Sequence, residues 1–205
     1  MSNQTNNQER RYRIANWYLL GAIILINAYI ALAPLLPQLQ FWIEKHGDTQ
    51  TTLTALTATE DASPPQESDP HTNTNHLVVP SMLLNEPVYQ GRSEATLSKG
   101  IWHRPNTSTP DKGGNTVFAA HRYTYTNPRG TFYYLDKVAV GDPIALFWEG
   151  KKYVYKITST TTVKATQIEV EAPTKEAQLT LYTCTPLWLP KDRLVVTALL
   201  ENIYE

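Results

Sequence analysis

The chain has 205 residues and a formal net charge of −1, so no strong positive field favours nucleic acid as a partner. Charged residues make up 18%, below the usual quarter of a soluble domain. Cys184 is the one cysteine, which excludes an internal disulfide. A lone thiol of this kind is buried and inert, paired with another molecule, or used chemically.

The N-terminal part contains an uncharged run of twenty residues from Trp17 to Leu36. This is about the length that crosses a hydrocarbon core, and aromatic residues lie at or near both ends of the run. Arginines are concentrated before it, within residues 10–13, so the positive-inside rule predicts a cytoplasmic N-terminus. We predict a cytoplasmic tail at residues 1–16 and a single-pass anchor with its flank at 17–43, placing the protein in the cell membrane. A cleaved signal peptide and a buried core helix are the alternatives.

Residues 44–75 are rich in threonine, proline, serine and aspartate and contain no aromatic residue. Such a segment buries too little apolar surface to offset its ordering entropy, so we predict a flexible extracytoplasmic linker. Residues 76–205 then form one extracytoplasmic domain of common size.

Strand patterns dominate that domain. Pro80 interrupts an apolar stretch, which predicts an edge strand or a bent first strand, and Gly100 closes a predicted short helix over Ser93–Lys99. The remaining strand segments are Asn115–His121, Ile144–Trp148, Tyr153–Ile157, Leu179–Cys184 and Arg193–Leu200, with a short hairpin turn at Glu149-Gly150-Lys151. The pattern predicts an all-β barrel or sandwich of seven or eight strands with short helices.

The strand that ends at the cysteine alternates between two faces. One face carries Leu179, Leu181 and Thr183, and the other carries Thr180, Tyr182 and Cys184. Pro186 ends this strand, and Arg193 begins the next apolar run. We therefore expect the thiol and the guanidinium to share one face of the sheet.

Nucleophilic chemistry also needs a proton-transfer group and an oxyanion donor. Cys184 is the candidate nucleophile, and Arg193 can donate two hydrogen bonds from a group that keeps its charge. Among the five histidines, His121 follows an apolar strand and precedes a polar loop, where site residues are expected. Each of these three residues also has a simpler interpretation. Cys184 could be a small buried hydrophobic residue, His121 a structural histidine, and Arg193 part of a surface ion pair.

Thr180-Leu181-Tyr182-Thr183-Cys184 matches the Thr-Leu-x-Thr-Cys signature of the sortases, membrane-anchored cysteine transpeptidases of bacterial surfaces. Arg193 follows at the spacing of the family arginine, and the segment through His121 resembles the one that carries the family histidine. The resemblance extends over about residues 77–200 and implies a closed β-barrel. The order of histidine and cysteine differs from that in papain-like proteases.

The resemblance implies that Cys184 attacks a sorting signal like Leu-Pro-x-Thr-Gly after its threonine, that Arg193 stabilises the oxyanion, and that His121 transfers protons. Thr183, Thr180 and Tyr182 are expected to position the substrate or the oxyanion. The implied partners are surface proteins with a C-terminal sorting signal and an amine acceptor, such as a peptidoglycan precursor or a pilin lysine. No cofactor or metal is implied, and the sequence contains no metal-ligand cluster.

The class of sortase is predicted as housekeeping-like or class D/E-like. Asp69-Pro70-His71 resembles a degenerate form of the lid motif of pilus-polymerising sortases, although an ordinary turn is the simpler interpretation. Two other functions stay open: a cysteine hydrolase on the same barrel, and a non-catalytic tethered binding domain with Cys184 packed in its core.

Overall fold

Residues 2–32, 75–124, 131–187 and 189–204 are described by a computed structural model. They belong to two units, Met1–Thr52 and Leu53–Glu205. The predicted linker lies outside the described residues except for Asn75, and the possible lid motif lies outside them entirely.

The first unit contains helix α1, Ser2–Leu32. Its one amide in the apolar run, Asn27, donates from Nδ2 to the carbonyl of Ile23 at 2.8 Å, one turn earlier. Among the described residues, no helix has both the length and the apolar character needed to cross a membrane. Residues 33–36 of the predicted span lie beyond the described part, and the anchor stays a prediction.

The described residues of the second unit form a closed barrel of eight strands, which confirms the all-β barrel prediction. The strands are β1 His76–Val79, β2 Leu84–Gln90, β3 Ile101–His103, β4 Asn115–Ala119, β5 Pro143–Trp148, β6 Lys151–Lys164, β7 Gln178–Thr185 and β8 Asp192–Tyr204. Their order around the barrel is β1-β2-β3-β4-β7-β8-β6-β5. Only β2/β3 and β4/β7 are parallel pairs among these strands.

Short 3-10 helices connect several of the strands. They are Pro80–Met82, Glu94–Lys99, Pro110–Lys112, Leu135–Lys137 and Ile168–Glu171. The predicted helix over Ser93–Lys99 is therefore confirmed as a 3-10 turn, and it ends at Gly100 with φ +140°, a backbone conformation that side chains disfavour.

The turn predictions had mixed outcomes. The predicted short hairpin between β5 and β6 is confirmed. Its turn has two residues, since Trp148 pairs with Lys151 and both Glu149 and Gly150 have positive φ. The prediction of an edge strand or a bent first strand around Pro80 is wrong, since β1 pairs with a strand on each side. Pro80 begins a 3-10 turn that reverses the chain, so β1 and β2 are two strands that pair antiparallel.

The two faces of β7 lie in different apolar clusters, as its alternation predicts. Leu179 and Leu181 are fully buried in the barrel interior with Phe118 and Trp148. Tyr182, on the other face, belongs to a second cluster outside the barrel, formed with Val117, Ala119 and Val195. The barrel interior therefore anchors β7 from one side and leaves its other face to carry Cys184.

Candidate active site

Cys184 and Arg193 are directly opposite each other across the antiparallel β7/β8 pair. Opposed residues in such a pair place their side chains on the same face, with Cβ atoms about 4.5–5.5 Å apart. The predicted sharing of a face is therefore confirmed. Cys184 is exposed, which contradicts the interpretation of a buried, inert thiol.

Arg193 is half-buried and its guanidinium lies over an aromatic ring. Its Cζ atom is 4.8 Å from the centre of the Tyr182 ring. Tyr182 pairs with Val195, so Tyr182 and Arg193 are diagonal neighbours on the face that also carries Cys184. Long and aromatic side chains make contact across this diagonal.

The sequence predicted a strand that ends at His121. The strand β4 ends at Ala119, so His121 lies two residues beyond it. The strand is parallel to β7, with Ala119 opposite Tyr182, so the chain leaves β4 beside the end of β7 that carries the thiol. Thr183 Oγ1 donates to the Ala120 carbonyl at 2.8 Å, and this bond is buried. It ties the residue before the histidine to the residue before the cysteine.

Arg122 provides a second connection on the other side of His121. Its Nη1 donates to Thr185 Oγ1 at 2.9 Å, and its Nη2 is 3.1 Å from an oxygen of Asp136. Its Nε donates to the Tyr133 carbonyl at 3.4 Å. The two residues that flank His121, Ala120 and Arg122, therefore bond to the two that flank Cys184, Thr183 and Thr185 respectively.

The Arg122 contacts were not found by sequence reasoning. The available signal was the position of an arginine directly after the candidate histidine, in a loop with few other charges. A sequence does not show that such an arginine turns back to a strand more than sixty residues later. Residues 125–130 of the same loop lie outside the described part.

Thr180 is a buried residue of β7 that belongs to a polar cluster. It is 1% exposed and donates its hydroxyl to Asn115 Oδ1 at 2.7 Å. Asn115 also donates from Nδ2 to the carbonyls of Val170 and Ala172. Thr180 therefore helps to join β7, β4 and the loop before β7, and its role in positioning a substrate stays a prediction.

Tyr182 and Thr183 are also buried, at 7% and 2% exposure. Tyr182 contacts Arg193 itself, and Thr183 contacts the carbonyl of the residue before His121. The Tyr182 hydroxyl donates to Glu171 Oε1 at 2.6 Å, and Arg104 Nε donates to the same oxygen at 2.8 Å. The roles of Glu171 and Arg104 were not predicted.

The other described histidines occupy structural positions. His103 ends β3, where its ring makes edge contacts with Phe118 and Trp148, and its Nε2 donates to the Ser108 carbonyl at 2.9 Å. Burial lowers the pKa of His103. His76 lies buried in β1. His46 and His71 are outside the described residues.

Comparisons with known proteins identify the fold and the family. Residues 77–201 match the family model of the sortase domain. Sortase SrtE1 of Streptomyces coelicolor is 32% identical over 136 residues, covering 58% of this chain and 38% of the relative. Sortase A of Listeria monocytogenes is 31% identical over 126 residues, covering 62% of this chain and 55% of the relative. The chain thus spans less than two thirds of either relative.

Solved structures agree. The structure of Listeria monocytogenes sortase A has a TM-score of 0.57 at 28% identity, covering 65% of this chain and 90% of that one. Sortase E1 from Streptomyces coelicolor, with a tripeptide in its active site, has a TM-score of 0.57 at 27% identity, covering 66% of this chain and 91% of that one. Because the family model covers more than half of the sequence and includes His121, Cys184 and Arg193, the chain belongs to the sortase family.

Proposed function

We propose that this chain is a cysteine transpeptidase that cuts a sorting signal resembling Leu-Pro-x-Thr-Gly and joins the released carboxyl end to an amine. One observation carries the proposal: Cys184 and Arg193 are paired across β7/β8 on an exposed face, next to a His121 segment tied to β7 on both sides. An exposed thiol, a guanidinium on the same face and a histidine on the adjoining segment support nucleophilic attack, oxyanion stabilisation and proton transfer.

In the first half-reaction the Cys184 thiolate attacks the carbonyl carbon of the threonine, at the bond between threonine and glycine of the signal. The carbonyl oxygen becomes an oxyanion, which accepts hydrogen bonds from the Arg193 guanidinium. The C–N bond then breaks, the protonated His121 gives its proton to the leaving amine, and a thioester forms on Cys184.

In the second half-reaction an acceptor amine attacks the thioester carbonyl. Neutral His121 takes a proton from the amine, and Arg193 again stabilises the tetrahedral intermediate. The C–S bond breaks, the thiolate returns, and an amide joins the two substrates. Both half-reactions use the same three side chains, with His121 alternating between acid and base.

The proposed substrates are surface proteins with a C-terminal sorting signal, and the proposed acceptors are a peptidoglycan precursor or a pilin lysine. Relatives of this chain include a sortase C1 of GBS pilus island 1, 31% identical over 62% of this chain. We also propose that residues 1–43 hold the domain at the outer side of the cell membrane, in agreement with the apolar run and its flanking arginines. Resistance of the protein to alkaline extraction from membranes tests that location.

Incubation of the full chain with a Leu-Pro-x-Thr-Gly peptide library, with and without an amine acceptor, tests the activity. We expect a product in which the threonine carboxyl is joined to the amine. Cleavage to the free acid at every amine concentration would instead establish a hydrolase. No cleavage of any peptide, with Cys184 resistant to alkylation at neutral pH, would favour a binding domain.

A further inference from the structure

The oxyanion donor of this site faces a ring and not a carboxylate. The Arg193 Cζ atom lies 4.8 Å from the centre of the Tyr182 ring, within the range of a cation–π contact. Within residues 75–124, 131–187 and 189–204, no aspartate or glutamate forms an ion pair with Arg193. A ring and a carboxylate bind different parts of a guanidinium, so the kind of partner decides which N–H groups of Arg193 stay available.

A carboxylate accepts the in-plane N–H groups of a guanidinium, often two at once. An aromatic face attracts the same cation from above its plane and leaves those N–H groups available. A ring is therefore a partner that orients Arg193 and still lets it donate to an oxyanion. The diagonal β7/β8 register directs Arg193 to this ring from the face that carries Cys184.

The Tyr182 ring is itself held firmly. It is 7% exposed and packs against Val117, Ala119 and Val195. Its hydroxyl donates to Glu171 Oε1 at 2.6 Å, from the 3-10 turn Ile168–Glu171 before β7. Burial, and next the hydrogen bond to Glu171, raise the pKa of Tyr182, so the hydroxyl keeps its proton and remains a donor.

Glu171 is in turn compensated by a cation other than Arg193. Arg104 Nε donates to the same Glu171 oxygen at 2.8 Å, and the Arg104 guanidinium lies 4.2 Å from the centre of the Trp102 ring. The carboxylate is about one fifth exposed, and its charge is thus paired within this cluster. Glu171 fixes the tyrosine without neutralising the oxyanion donor.

We propose that Tyr182 is the positioning residue for Arg193, and that Glu171 holds the Tyr182 ring in the required orientation from the loop before β7. This inference rests on the proposed function, because it assigns Arg193 the oxyanion. It gives the variable position of the Thr-Leu-x-Thr-Cys motif a defined role in this chain. Through Glu171 and Tyr182, the loop before β7 then helps to position Arg193.

Kinetics of thioester formation by the full chain provide the first test. Tyr182→Leu removes the ring, and we expect kcat to fall about tenfold while KM changes by less than about twofold, since tenfold corresponds to about 1.4 kcal/mol, within the range of a partly desolvated cation–π contact. Tyr182→Phe keeps the ring and loses only the hydroxyl, so its kcat is expected to stay within about threefold of the wild-type value. Glu171→Ala removes the same hydrogen bond, so we expect kcat to fall about two- to threefold in both variants, and full kcat in both would refute the role of Glu171.

Two controls separate positioning from general disruption. Glu169 is exposed on the same 3-10 turn and lies outside the cluster, so Glu169→Ala changes the same charge and is expected to leave kcat unchanged. In an Arg193→Ala background, Tyr182→Leu is expected to lower kcat no further. An equal loss in both backgrounds would overturn the inference, because Tyr182 would then act on Cys184 or on the fold.

A readout that does not need turnover distinguishes this inference from the proposed function. The NMR signal of Arg193 Hε should be shifted upfield by the ring current, should return to an ordinary value in Tyr182→Leu, and should stay shifted in Tyr182→Phe. If a chain without turnover shows these Arg193 Hε shifts, the proposed function is refuted but the contact between Arg193 and Tyr182 is confirmed. Turnover with an unshifted signal, or with full kcat in Tyr182→Leu, would sink the inference alone.

Discussion

Replacing Thr183 with valine removes the hydroxyl that ties β7 to the residue before His121, and the neighbouring Thr180 offers a matched control. Both threonines are almost fully buried in β7, and each donates one short hydrogen bond, to the Ala120 carbonyl at 2.8 Å and to Asn115 Oδ1 at 2.7 Å. The same change at the two positions removes the same chemical group from the same strand. Only the bond of Thr183 reaches the His121 segment.

The expected magnitudes follow from the two environments. Loss of a buried hydroxyl donor leaves its acceptor less satisfied, so each variant is expected to lose about 1–3 kcal/mol in the free energy of unfolding. The catalytic effects should differ. A displacement of about 1 Å between reacting groups lowers rates by up to about 10²-fold, so we expect Thr183→Val to reduce kcat at least tenfold. Thr180→Val should stay within about twofold.

Urea unfolding measures the first quantity, and thioester formation measured at a temperature where both variants are folded gives the second. Equal losses of kcat in the two variants would refute the reasoning, since the effect would then follow stability and not the link to His121. Full activity in Thr183→Val would refute it as well. A loss confined to Thr180→Val would refute the link to His121 and support the predicted role of Thr180 in positioning the substrate.

Three further predictions concern the rest of the site and the barrel. Arg193→Ala should reduce kcat for thioester formation by about 10²–10³, as expected for one oxyanion donor, in stopped-flow measurements with a fluorogenic peptide. Arg122→Ala removes the charged hydrogen bond to Thr185 and should lower the free energy of unfolding by about 1.5–3 kcal/mol, with a loss of kcat that Arg122→Lys does not restore. Burial lowers the pKa of His103 from its ordinary value of 6.5, so the folded chain binds fewer protons than the unfolded chain and its stability should fall as the pH drops below about 6.5. His103→Gln should flatten this dependence in urea titrations between pH 7 and 5, and an unchanged slope would contradict the assignment.

Local sequence patterns were sufficient for the features that depend on neighbours in the chain. The alternation in β7 correctly separated Leu179 and Leu181 from Tyr182, because a strand reverses its side chains at every residue. The Glu149-Gly150 turn was equally readable, because its positive φ values restrict the choice of residues. The common face of Cys184 and Arg193 was expected because a short connection joins consecutive strands, and the structure shows the two residues directly paired.

The features that sequence reasoning missed depend on contacts between distant parts of the chain. β4 and β7 are parallel neighbours although more than fifty residues separate them, and Thr183 reaches Ala120 only through that pairing. Thr180 and Thr183 are the same residue type in the same motif, yet one bonds to Asn115 and the other to the His121 segment. The alternation places the two threonines on opposite faces of β7, but it does not show what each face meets.

Detection of the acyl-enzyme tests the central claim most directly. The full chain is mixed with a Leu-Pro-x-Thr-Gly peptide, quenched in acid, and analysed by intact and peptide mass spectrometry. We predict an adduct with the mass of the N-terminal fragment, located on Cys184, lost on addition of an amine as the joined product appears, and absent from Cys184→Ala. Cleavage of the peptide by Cys184→Ala at the wild-type rate would contradict the account.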